Sequence, residues 1–178
     1  VDTTDKKLIK VSVEKWPDQT LRLFTPGEKV NSLYFLRKKR TCDEIDFCKV
    51  DLKTGEVKVL INEISKPYFN NDFFHLSLLN EGKDIIWWSE RTGHGHFYHY
   101  DGEGNLKNAI TSGNWTAGKM VKIDTVGRTI YFGAYGQEKG ACPYYARVNK
   151  ARIDGNGQVE VLTPEQATHE AYFSKSED

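Results

Sequence analysis

A charge excess of either sign is the first thing missing from this 178-residue chain, in which 25 Lys and Arg stand against 25 Asp and Glu. No net field draws it to nucleic acid, to an anionic membrane or to a strongly charged substrate. Long apolar runs are missing as well, and no window approaches the roughly 18 consecutive apolar residues of a membrane span. The opening run Val1-Asp2-Thr3-Thr4-Asp5-Lys6-Lys7 lacks the apolar centre of a signal peptide. Cysteine is scarce: Cys42, Cys48 and Cys142 form an odd set that argues against a disulfide framework, although a local Cys42 to Cys48 bridge stays geometrically open. With no C-x-x-C, and histidines distant in sequence, no zinc pattern emerges. Helix signals are almost absent. Only Thr163-Pro164-Glu165-Gln166-Ala167-Thr168 predicts a single turn, with Thr163 as cap and Pro164 at the first helical position.

What the chain has instead is aromatic and β-branched residues in short runs, bounded by Gly, Asn and Asp, the composition of pleated, half-buried strands. These runs repeat. In the first repeat Ser32-Leu33-Tyr34-Phe35-Leu36 is followed by Ile45 to Val50, the turn Asp51-Leu52-Lys53-Thr54-Gly55 and Val57 to Leu60. In the second, Ile85-Ile86-Trp87-Trp88-Ser89 leads to His96 to Tyr100, the turn Asp101 to Asn105 and Leu106 to Thr111. The third runs Thr129 to Gly133, Tyr144 to Val148, the turn Asp154-Gly155-Asn156-Gly157 and Val159 to Thr163. Apolar stretches such as Phe73 to Leu78 and Met120 to Ile123 supply an innermost strand. The closing residues Leu60, Ile110 and Leu162 recur at the span of a four-stranded propeller blade. The expected fold is therefore all-β: about three four-stranded antiparallel blades of a β-propeller, partial and not closed. Residues 1–178 form one segment with repeats at roughly 20–65, 70–113 and 118–165, and a further blade starting over 169–178. Rings close with four to eight blades. Three blades therefore belong to a longer polypeptide, or cover their open edges by self-association.

The most specific string is Ser89-Glu90-Arg91-Thr92-Gly93-His94-Gly95-His96-Phe97-Tyr98, closing with Ile110-Thr111-Ser112-Gly113-Asn114-Trp115. This S-E-R-x-G-x-x-H-x-Y pattern resembles the propeller of the dipeptidyl peptidase IV branch of the prolyl oligopeptidase family. Ala134-Tyr135-Gly136-Gln137-Glu138, Pro143-Tyr144-Tyr145 and Leu162-Thr163-Pro164-Glu165 are similar to bacterial members, and the resemblance covers nearly the whole chain. It implies a propeller that covers an α/β-hydrolase domain with a Ser-Asp-His triad and admits only short or unfolded peptides. It makes Ser89, Glu90, Arg91, Gly93, His96 and Tyr98 a structural motif, with His96 anchoring the hairpin. The implied location is periplasmic or secreted.

The chemistry of such a peptidase is not encoded in the chain itself. A nucleophile elbow needs G-x-S-x-G ahead of a helix, and neither Ser89 nor Ser112 is framed that way. No catalytic residue is assigned, and no cofactor or metal is implied. The family's adjacent glutamates, which bind a peptide α-amino group, have no counterpart, since the chain contains no Glu-Glu. Phe69 and Asn70 fall where family members project an aromatic and an Arg toward the peptide, and the resemblance makes them the expected substrate contacts. Packing between blades is the competing role for Phe69.

Other residues have ordinary structural readings. His94, His96 and His99 invite a metal, but no carboxylate or Cys completes the set. Glu90 and Arg91 are expected to make a salt bridge or loop hydrogen bond rather than an acid and base pair. Consecutive Trp87 and Trp88 should pack toward opposite neighbours, and Arg37-Lys38-Lys39-Arg40 is a solvated loop offset by Asp43, Glu44 and Asp46. The expected function is substrate gating and binding in a dipeptidyl-peptidase IV-like serine exopeptidase. Its partners would be the hydrolase domain of the parent chain and the peptide substrate. The alternative is a non-enzymatic propeller that scaffolds protein or glycan partners.

Overall fold

In the computed structural model the described residues are 8–25 and 32–174, so the opening run and the end of the expected further blade, residues 175–178, lie outside them. Contacts divide the chain into two compact units, Val1–Phe69 and Asn70–Asp178. No helix among the described residues is long and apolar enough to cross a membrane.

The first unit holds one sheet: β1 (Gln19–Phe24), β2 (Leu33–Lys39), β3 (Glu44–Val50) and β4 (Val57–Ile64), paired in chain order and antiparallel. Alternation sorts its side chains. Phe35, Cys48 and Val50 form a core against Val11, Val13, Leu33 and Val57, while Tyr34 stacks on Phe47 with ring centroids 5.7 Å apart. The pairing of β3 with β4 slips between Phe47 and Cys48, whose partners are Ile61 and Val59, so Leu60 is the extra residue of a bulge. Such a bulge increases strand twist.

The second unit holds two more sheets of the same order. One is β5 (Leu76–Leu79), β6 (Asp84–Ser89), β7 (His96–Asp101) and β8 (Leu106–Ala109). The other is β9 (Thr116–Asp124), β10 (Thr129–Tyr135), β11 (Arg147–Arg152) and β12 (Glu160–Val161). The fold is thus all-β, built from three four-stranded antiparallel meanders in the form of propeller blades. Ile86, Trp88, Phe97 and Ile110 of the second sheet and Ala117, Ile130, Phe132, Ala134, Ala151 and Ile153 of the third form one buried cluster. Each large apolar side chain buried there contributes about 1.5–3 kcal/mol. Trp88 takes that side, and Trp87 packs edge-on against Phe74 at 5.1 Å.

The Asp turns close the hairpins as their composition predicts. Asp51 Oδ1 accepts the N–H groups of Lys53 and Thr54 at 2.7 and 3.1 Å. Asp101 Oδ1 accepts those of Glu103 and Asn105 at 2.9 Å each. The turn N–H groups hold the Asp51 carboxyl below the ordinary carboxylate value, and for Asp101 the Asn105 side-chain amide, donating to Oδ2 at 2.9 Å, does so together with the turn N–H groups.

Two local expectations fail. The third strand of the third repeat lies at Arg147–Arg152 rather than at Tyr144 to Val148, and Tyr144 is exposed. The inward residues of β10 fix the register: Ala134 pairs with Arg147, Phe132 with Asn149 and Ile130 with Ala151. Buried Arg147 and Asn149 are tolerated because Glu138 and Gln137 bond them at 2.5 and 3.0 Å. The segment Thr163 to Thr168 forms bends and no helical turn. Thr163 Oγ1 instead accepts the N–H of Val148 at 2.9 Å, which draws Thr163 back onto the sheet and away from a capping role.

Candidate functional site

The hairpin between β6 and β7 carries the S-E-R-x-G-x-x-H-x-Y string, and each of its polar residues has a definable task. Ser89 Oγ accepts the Arg91 N–H at 3.1 Å and Arg91 Nε at 2.9 Å. The Arg91 guanidinium then lies 4.3 Å from the ring centroid of Tyr98 and 5.7 Å from that of Tyr100, within cation–π range. Glu90 carries two loop bonds. Its carbonyl accepts the Gly93 N–H at 2.8 Å, and its carboxylate accepts the Asn70 N–H at 3.4 Å. Gly93 turns the loop with φ of +89°, a conformation that glycine adopts without steric cost. Gly95 is required for space, since a Cβ there would sit 2.1 Å from the Trp88 ring.

His96 closes the hairpin. Its Nε2 faces the carbonyl of Gly113 at 3.0 Å and must donate, which leaves Nδ1 to accept from Thr111 Oγ1, also at 3.0 Å. Thr111 Oγ1 in turn accepts the Phe97 N–H at 3.0 Å. The relay uses both ring nitrogens of a buried neutral imidazole, and burial holds its pKa below the ordinary 6.5. His96 therefore has no lone pair left for a metal.

A second polar cluster, which the sequence patterns do not mark, joins the second and third sheets. Buried His99 directs Nε2 at Asp84 Oδ1, 2.6 Å away. Its Nδ1 faces Asn108 Oδ1 at 3.3 Å and Asp154 Oδ1 at 3.5 Å. Arg128 donates Nε and Nη2 to Asp154, the latter at 2.7 Å, and Nη1 to Asp84 Oδ2 at 3.3 Å. Burial opposes ionisation of Asp84, but the bonds from His99 and Asn80 and the charge of Arg128 outweigh it and depress its pKa. Arg128 chiefly depresses that of Asp154.

The first unit has its own buried pair. Asp46 accepts Arg37 Nε and Nη2 at 2.8 Å each, Lys15 Nζ at 3.0 Å and Asn62 Nδ2 at 2.6 Å. Arg37, Asp46 and Asn62 stand opposite one another across β2, β3 and β4. Arg37 thus belongs to the strand interior rather than to a solvated basic loop. Burial opposes the charge on Asp46, yet the bonds from Asn62, Lys15 and Arg37 keep its pKa below the ordinary value.

Phe69 is buried, and its N–H bonds the Cys42 carbonyl at 2.8 Å. Asn70 opens the second unit with an Asx turn, its Oδ1 accepting the N–H groups of Asp72 and Phe73 at 3.1 and 3.3 Å. All three cysteines are free. The Cys48 thiol, pushed up to about 11 by burial, stays protonated.

The sequence matches the dipeptidyl peptidase IV (DPP IV) N-terminal region over residues 4–178. The chain belongs to that family. Among solved structures it is similar to dipeptidyl peptidase 4 of Porphyromonas gingivalis, with 25% identity and a TM-score of 0.74, covering 92% of this chain and 22% of that one. A putative dipeptidyl aminopeptidase IV of Bacteroides ovatus matches at 18% identity and a TM-score of 0.62, over 84% of this chain and 23% of that one. The putative TolB of Agrobacterium tumefaciens matches at 18% identity and a TM-score of 0.52, over 84% of this chain and 50% of that one. The last two likenesses are of fold. The chain spans under a quarter of the length of either peptidase. In this DPP IV N-terminal region, the Ser89 to Tyr98 string is a hairpin lock, and its chemistry is hydrogen bonding and cation–π packing. Thr111 and the Asp84, Arg128 and Asp154 partners of His99 escaped sequence reasoning. For Thr111 the signal was present, since Thr follows the closing residue in both Ile110-Thr111 and Leu162-Thr163.

Proposed function

We propose that the chain is the non-catalytic, substrate-gating part of a dipeptidyl-peptidase IV-like serine exopeptidase. Its catalytic partner is an α/β-hydrolase domain on the same parent chain, and its ligand is a short peptide. The observation that carries this reading is the family match over residues 4–178, supported by the 25% identity to a bacterial dipeptidyl peptidase 4. In this reading the sheets act as walls. Phe69 is an apolar support on the substrate side, and Asn70 holds the following loop in place through its Asx turn. Ser89, Glu90, Arg91, Gly93, His96 and Tyr98 keep the wall rigid rather than touch the peptide. The location proposed is periplasmic or secreted, and any exposed sheet edge is covered by a neighbouring blade or by self-association.

The parent reading frame tests the class. A G-x-S-x-G elbow downstream supports the peptidase, and a stop codon soon after Asp178 defeats it. The isolated chain is expected to leave a dipeptide p-nitroanilide uncleaved, while the parent protein cleaves it. Turnover by the isolated chain that a serine-directed inhibitor abolishes would contradict the non-catalytic assignment.

A further inference from the structure

The turn after β11 needs a glycine at position 157. Its φ is +86°, and a Cβ there would sit 2.4 Å from Ser112 Oγ, so left-handed backbone and close approach both exclude a side chain. The residue before it is Asn156. Asn156-Gly157 is the one Asn-Gly pair in the sequence.

Asn156 is exposed and borders an open groove with Arg152, Gln158 and Glu160. Among the described residues, neither its side-chain amide nor the Gly157 N–H is engaged in a hydrogen bond. A backbone nitrogen can close a five-membered ring on the side-chain carbonyl carbon of the asparagine before it, and a side chain on the attacking residue is the main steric obstacle. Glycine removes that obstacle. Asn70, Asn105, Asn108 and Asn149 differ on both counts: each side chain is tied down by hydrogen bonds, and each precedes a residue that carries a side chain.

We propose that Asn156 is a site of self-modification. The Gly157 nitrogen attacks the side-chain carbonyl carbon of Asn156 and forms a C–N bond, the bond from that carbon to the side-chain nitrogen breaks, and the Gly157 proton leaves with that nitrogen as ammonia. Water, the sole co-reactant, then opens the succinimide at either carbonyl and leaves aspartate or isoaspartate. Either product adds one negative charge. Isoaspartate also routes the main chain through the side-chain carbon, which lengthens the turn by one methylene. The same turn presents Asp154 to Arg128 and the Gly155 carbonyl to Asn108 Nδ2, so the isoaspartate form loosens the junction between the second and third sheets.

The test is tryptic peptide mapping by mass spectrometry of the wild-type chain, held folded in warm, mildly alkaline buffer. The peptide that follows Arg152 should become heavier by about one mass unit before any other asparagine peptide changes. Asn156→Ser should leave the mass of that peptide unchanged under the same treatment. Conversion of another asparagine first, or no conversion, overturns the proposal. The isoaspartate form, separated by chromatography, should unfold at a lower urea midpoint than the untreated chain, with the same slope. Equal midpoints overturn the loosening of the junction. If Asn156→Ser does not fold, the wild-type map decides on its own.

Discussion

Thr111→Val is the substitution that most sharply tests the hairpin lock. It keeps volume and β-branching, so the strand preference is unchanged, and it removes one hydroxyl. That hydroxyl accepts the buried N–H of Phe97 and donates to His96 Nδ1. A buried N–H left without an acceptor costs about 1–3 kcal/mol, and the lost bond to the ring adds about 1 kcal/mol. The expected loss is about 2–4 kcal/mol in total, a factor of roughly 30 to 1,000 in the unfolding constant. Thr163→Val at the matching position of the third sheet removes one acceptor, from Val148, and should cost about 1 kcal/mol. Urea unfolding followed by tryptophan fluorescence reads both, because Trp88 and Trp115 lie in the affected unit. The midpoint should shift at constant slope. Thr111→Ser, which keeps the hydroxyl, should recover most of the loss. A Thr111→Val loss below about 0.5 kcal/mol, or one no larger than that of Thr163→Val, would refute the relay.

Asp46→Ala should cost about 3–5 kcal/mol, because it strands Arg37 and Lys15 without their anion. A double-mutant cycle with Arg37→Met should return part of that loss, measured by denaturant titration. Since its pKa is depressed, the stability Asp46 contributes is full above the ordinary carboxylate value of 3.8 and is lost as pH falls through the folded value. For His96, also depressed, the unfolded chain takes up the proton first. Its contribution is full above about 6.5 and declines as pH falls. His96→Gln, whose amide can still donate to Gly113, should flatten that acid-side slope in thermal melts at stepped pH.

The repeat could be read because each blade restates one pattern: alternating apolar strands and an Asp turn. Where local chemistry agrees with tertiary packing, as at Asp51 and Asp101, the turn stands where composition places it. It failed at β11. There the aromatic residues Tyr144 and Tyr145 look more like a strand than Arg147-Val148-Asn149-Lys150 do. What chose the polar stretch was the need of Ile130 and Phe132 for inward partners, and the cover that Gln137 and Glu138 provide for Asn149 and Arg147. Neither fact is local in sequence.

The polar sites divide along the same line. The Ser89 to Tyr98 string lies in one hairpin, so its residues fall within ten positions of one another and read as a motif, whereas the partners that complete the lock, Asn70, Thr111 and Gly113, lie outside it. The His99 ring gathers Asp84, Arg128 and Asp154 from three strand ends spread over seventy residues, and no spacing rule links them. Asp154 makes the point in one residue. By composition its turn is the third member of the series begun by Asp51 and Asp101, whose carboxylates bind their own turn amides. In the structure the carboxylate of Asp154 instead takes Arg128, across to the neighbouring hairpin. A turn aspartate freed from its turn can serve a junction between sheets, where it meets Arg128 and the His99 ring.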